Sequence, residues 1–132
     1  MVSQWVRPLF LGAAAYDLVL GLLYLTAWRP IYQFCGIALP NHPSYVEFPA
    51  ATVAIFGLGF WMVAQAPQRN RDLIKLGILF KVAFGGLMAR YLLTERVAPL
   101  WVTLGALDLA FAAAFIAALR ATPPRAESAP GE

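Results

Sequence analysis

Four apolar stretches leave this chain few folds to choose from, because an α-helix needs about 20 mostly apolar residues to cross a bilayer. They run over 8–28, 47–66, 72–93 and 98–120. Three of them carry a charged residue near the middle: Asp17 in LFLGAAAYDLVLGLLYLTAW, Lys81 in LIKLGILFKVAFGGLMARYLL and Asp108 in PLWVTLGALDLAFAAAFIAAL. An unpaired charge at the centre of a bilayer costs roughly 3 kcal/mol or more. Each of these residues therefore has to pair with another group or act on something.

Composition agrees with the segment pattern. Of 132 residues, 61% are hydrophobic and 13% are charged, whereas soluble domains carry about 25% charged residues. The sequence predicts a single all-α domain over 1–120, a four-transmembrane-helix bundle running up-down-up-down with a longer first outer loop. Residues 121–132 (ATPPRAESAPGE) have the proline and charge content of a disordered cytoplasmic tail. The apolar run Leu9–Ala27 is longer than a signal-peptide core and no A-x-A site follows it, so it is read as the first span.

Punctuation supports the segment ends. Pro8 opens the first span and Pro30 is expected to close it; Pro67 stops the second, and Asn70 is placed to cap the third. Pro99 falls in the first turn of the fourth, where proline is tolerated. The loop 29–46 is apolar at its centre (IYQFCGIAL), which predicts a short helix or re-entrant segment. Ser44 and Glu47 have the spacing of a capping box. Arg90 is expected to snorkel to the headgroups rather than pair with Glu47.

Arg7, Arg69, Arg71, Lys75, Arg120 and Arg125 gather at one end of the predicted bundle, against Arg29, Arg90 and Arg96 at the other. The positive-inside rule then puts both termini in the cytoplasm. A net charge of +3 confined to loops gives no nucleic-acid footprint. Cys35 is the single cysteine and His42 the single histidine, so no disulfide, CxxC motif or metal-ligand cluster is available. A Cys35–His42 pair lacks an orienting third group, and no P-loop, GxGxxG, HExxH or GxSxG motif occurs. No nucleotide or metal cofactor is expected. The glycines of FGLGF in the second span read as a packing face.

At 1.5 Å per residue, Asp17, Lys81 and Asp108 lie about 16, 18 and 15 Å from the outer ends of their spans. All three meet at one depth. Small residues flank each charge at helical spacing: Ala13 and Gly21, Gly77 and Gly85, Gly105 and Ala112. The three charged faces are thus predicted to face one another. Two carboxylates and one ammonium leave a negative charge unmatched, to be completed by a shared proton or a cationic group. Tyr24 stands one to two turns above Asp17, and Phe84, Met88, Trp101 and Phe111 are candidate walls of an apolar pocket suited to a quinone or lipid. The bland alternative is a polar staple that sets helix register, with the aromatic residues as ordinary core.

The glycine-rich FGLGFWMVA, the basic turn PQRNRDLIKLGILFK and the ending DLAFAAAFIAAL, over residues 56–119, resemble the DoxX-like group of small four-helix bacterial membrane proteins. That resemblance implies a bacterial inner-membrane location and an association with membrane redox or quinone-linked complexes. The leading expectation is accordingly an accessory or interaction subunit of a membrane complex, with no catalytic site. The alternative is a binder or carrier of a small lipophilic or cationic ligand that uses the Asp17–Lys81–Asp108 cluster; a carrier would function as a homodimer. A membrane-embedded enzyme with Asp17 or Asp108 as general acid/base is the least favoured reading.

Overall fold

The computed structural model describes residues 2–126. Four helices, α1 (Val6–Phe34), α2 (Ser44–Gln65), α3 (Arg71–Thr94) and α4 (Pro99–Ala121), follow one another with no strand among the described residues. The connections 35–43 and 95–98 lie at one end of the bundle, called distal here. The turn 66–70, the start of α1 and the end of α4 lie at the other.

α1 is longer than its sequence punctuation indicates. Pro30, expected to end it, lies inside the helix, and the chain absorbs the proline as a kink at Ala27 (φ −133°, ψ 21°). A proline lacks one N–H and its ring crowds the carbonyl four residues back, so it can bend a helix without stopping it. The stop comes at Gly36, whose φ of +65° few other residues adopt. There the Ile37 amide donates to Tyr32 O (2.8 Å) and the Gly36 amide to Gln33 O (3.2 Å), the paired bonds of a Schellman ending. The expected separate helix in 29–46 is therefore the last turns of α1 and their cap. Only 35–43 is loop.

Two capping expectations also change. Pro43 occupies the N-cap position of α2, one residue earlier than the capping box requires, so Glu47 falls out of register. The Ser44 amide donates to His42 Nδ1 (3.1 Å), and Glu47 Oε1 accepts from Trp28 Nε1 of α1 (3.3 Å). Asn70 does occupy the N-cap position of α3, as expected, but its side chain makes no capping bond there and turns back, donating to Met62 O (2.9 Å) and Ala66 O (3.0 Å) at the end of α2. At the same end Arg71 donates to Leu119 O of α4 (3.0 Å). α4 closes at Ala121 and Thr122 is buried; 127–132, half of the segment read as a disordered tail, lie outside the described residues.

The helices pack as two tight hairpins. A Cβ added to Gly21 of α1 would lie 2.7 Å from Ala50 O of α2, and one added to Gly57 would lie 2.8 Å from Leu18 N. In the second hairpin a Cβ on Gly85 would lie 2.8 Å from Gly105 O, and one on Gly105 would lie 2.7 Å from Met88 Cβ. Backbones approach this closely only where side chains are absent. Gly59, the other glycine of FGLGF, faces open space.

Large side chains join the hairpins. Near the chain ends, Phe10, Phe60 and Phe115 interlock with centroids 4.6 Å (Phe10–Phe115) and 4.9 Å (Phe60–Phe115) apart, backed by Val63 and Ile74. A second core of Tyr24, Trp28 and Tyr32, with Trp101 against it, sits distally. The outward faces carry Val19, Leu22, Ile55, Leu58 and Leu79, all exposed in the isolated chain. All four helices are long and apolar enough to cross a membrane. α1, at 29 residues, extends about 43 Å by its rise per residue, well beyond a hydrocarbon core of about 30 Å. This is a multi-pass membrane protein.

Candidate binding site

The charged residues of three helices meet between the two aromatic cores. Lys81 of α3 donates from Nζ to Asp17 Oδ1 of α1 (2.6 Å) and to Asp108 Oδ1 of α4 (3.0 Å). Asp17 is fully buried, Lys81 is 1% exposed and Asp108 is 7% exposed. The periodicity that put these residues on inward faces at one depth is thus met by direct ion pairs.

The small residues beside the charges act differently from one another. Gly21 admits α2, which carries no charge into the cluster, and Gly85 and Gly105 admit each other's helices. Gly77 makes room for the Phe60 ring. Gly21, Gly85 and Gly105 tighten their own hairpins, and the long Lys81 side chain spans the gap between hairpins.

Aromatic rings surround the ammonium. Lys81 Nζ lies 5.2 Å from the Tyr16 ring centroid, 5.3 Å from Phe111, 5.6 Å from Phe80 and 5.8 Å from Phe60. These distances are within the roughly 6 Å over which a ring face attracts a cation. Of this group the sequence reading singled out only Phe111. Tyr16 and Phe80 had a signal available: each precedes a cluster residue, and a one-residue step turns a helix by about 100°, to the flank of the same face. Phe60 had none, because α2 carries no charge to mark its inward face.

Distal to the cluster lies a cavity of about 450 Å³ lined by all four helices. Asp17, Lys81 and Asp108 form its floor, and its walls include Tyr24, Phe84, Trp101 and Leu104. Above it, Tyr24, Tyr32 and Trp101 pack together with centroids 5.8 to 6.4 Å apart. To the side it reaches Tyr45 and Phe48 of α2, which are 66% and 75% exposed. Phe56 of α2 and Phe80 of α3 stack face to face at 3.9 Å. Distal to that stack, Phe48, Thr52 and Val53 on α2 and Phe84 on α3 line the cavity. The cavity therefore reaches the lateral surface of the bundle at the exposed Tyr45 and Phe48 of α2.

The remaining candidate residues fall apart in a defined way. Phe111 does not line this cavity; it packs on Tyr16 (5.3 Å) and Phe115 (5.8 Å) beneath the cluster. Met88 lines a second, more open cavity of about 520 Å³ at the distal end, with Tyr91, Glu95 and Arg96. Phe84 and Trp101 line both cavities and so form the partition between them. His42 bonds Ser44 and packs edge-on to Tyr45, while Cys35 is a free thiol. No group of three or more potential metal ligands occurs among the described residues.

Fold and site together define an integral membrane four-helix bundle with a buried Asp–Lys–Asp cluster under an apolar cavity. Comparison with known proteins returns no family model, no curated protein and no solved structure that matches this chain.

Proposed function

We propose that this protein binds a small lipophilic ligand taken from the bilayer, holding the ligand's polar head at Asp17, Lys81 and Asp108. The observation that carries this reading is the cavity of about 450 Å³ whose charged lining residues are those of that cluster. Its volume falls within the roughly 300–1,000 Å³ of small-molecule sites, which pair apolar walls with a few placed polar groups. A polar staple alone calls for close packing around the charges, as the Phe10–Phe60–Phe115 core achieves a short distance away. The exposed lining at Tyr45 and Phe48 of α2, on the side of the bundle, favours a ligand already dissolved in lipid. The loop arginines support an orientation with both termini in the cytoplasm, on which the cavity lies in the outer half of the membrane.

Native mass spectrometry of the protein drawn from its own membrane in mild detergent tests the reading. A small-molecule adduct is expected on the wild type and not on Leu104→Trp, which puts a large ring into the cavity and leaves all three charged residues in the sequence. An adduct equally retained by Leu104→Trp, or no adduct at all, counts against it. A stoichiometric protein partner with no adduct would favour an accessory subunit instead.

A further inference from the structure

We infer that the ligand is a lipophilic cation, an amphiphile whose head is a protonated amine able to donate hydrogen bonds. The inference rests on the binding reading above and adds the chemistry of the head. Its basis is the balance of donors and acceptors on the cavity floor. Two carboxylates present four oxygens, and Lys81 Nζ satisfies one oxygen of each. Asp17 Oδ2 is buried and has no hydrogen-bond partner, although Asp17 is itself fully buried and lines the cavity. Tyr16 Oη, on the same wall, is likewise without a partner. Such an orphaned buried acceptor is costly, and more so for a charged group.

What the floor lacks is positive charge and N–H donors. A second ammonium would supply both: it completes the charge balance of the carboxylate pair and offers donors to the free oxygens. The walls favour the same head. Tyr16, Phe80, Phe84 and Trp101 turn aromatic surface toward the cavity, and aromatic faces attract cations. They already do so for Lys81 itself, whose Nζ lies 5.2 Å from Tyr16 and 5.6 Å from Phe80. An anionic head meets the opposite situation: the one cation on the floor is already engaged by two carboxylates, and the head would have to sit beside both of them with only neutral hydroxyls such as Tyr16 Oη free to donate. A neutral head that only accepts hydrogen bonds leaves Asp17 Oδ2 unpartnered. The apolar remainder of the cavity and its lateral mouth accept the tail.

The test compares heads on one tail. Full-length protein in detergent at neutral pH is titrated with dodecylamine, dodecanol and dodecanoate, and adducts are read by native mass spectrometry alongside thermal stability. Dodecylamine is expected to bind at least about tenfold more tightly than dodecanol, the scale of one charge-assisted hydrogen bond, with dodecanoate weakest. Asp108→Asn is expected to erase the preference for the amine while retaining the alcohol. The wild-type series decides the matter even if that variant does not fold. Equal binding of amine and alcohol, or preference for the carboxylate, overturns the cationic head and leaves the binding reading intact. Binding of none of the three overturns the binding reading, and this inference with it.

Discussion

Lys81 of α3 donates to Asp17 of α1 across 2.6 Å, joining the two hairpins through a charged pair at a depth where neither residue meets solvent. Asp108 of α4 holds the same ammonium from within Lys81's own hairpin at 3.0 Å. This ionic link between the hairpins is thus made by one long side chain, beside the aromatic packing of Phe10, Phe60 and Phe115.

Removing that side chain leaves two carboxylates facing each other in a nonpolar interior. Lys81→Met is expected to lower stability by about 3–5 kcal/mol, as breaking one partner of a buried pair does. The triple replacement Asp17→Asn, Lys81→Met, Asp108→Asn is expected to recover most of the loss, because no charge is stranded. Thermal unfolding in detergent, followed by circular dichroism, measures both. A single variant as stable as the wild type would mean that the pairs contribute little to the fold.

The glycines separate into those that admit a neighbour and those that face lipid. Gly21→Ala puts a Cβ 2.7 Å from Ala50 O, whereas Gly59→Ala meets nothing within 4 Å. The first is expected to cost about 1–3 kcal/mol by overpacking. The second is expected to be neutral or to stabilise by up to about 1 kcal/mol through helix propensity. Paired melting curves of the two variants check the contrast.

Trp28 and Glu47 tie the distal part of α1 to the start of α2 by a hydrogen bond of 3.3 Å. Glu47→Leu is expected to cost about 0.5–1.5 kcal/mol, and Glu47→Gln much less, since its amide oxygen can still accept. In a double-mutant cycle with Trp28→Phe the losses are expected to be less than additive. Full additivity would show that the pair does not interact.

Gly36 ends α1 with φ +65°. A branched side chain there is strained by about 1–2 kcal/mol, so Gly36→Val is expected to destabilise by that amount, while Gly36→Asn is expected to be tolerated better. Melting temperatures of the two variants, compared with wild type, give the answer. Equal effects would place the end of α1 elsewhere.

The midplane charges were legible in the sequence because helical periodicity and the cost of a lone charge in lipid are local facts. Asp17, Lys81 and Asp108 each sat among small residues at a matching depth, and mutual pairing was the arrangement that avoided stranding them. The four apolar lengths likewise determined four spans. The end of α1 was not legible: Pro30 reads as a stop, but a proline that forfeits one hydrogen bond can be carried by a kink at Ala27 when the turns beyond it bury Trp28 and Tyr32.

Only the tertiary structure decided which aromatic residues line the cavity and which lie beneath it. Phe84 and Phe111 have similar sequence contexts, one turn or less from a charge on an apolar helix. Phe84 lines the cavity, whereas Phe111, half-buried, packs on Tyr16 and Phe115 beneath the cluster. Sequence determined the depth and inward direction of each charge, since both follow from the rise and turn of a single helix. The space between the hairpins depends on how four helices pack at once, and no single helix encodes it.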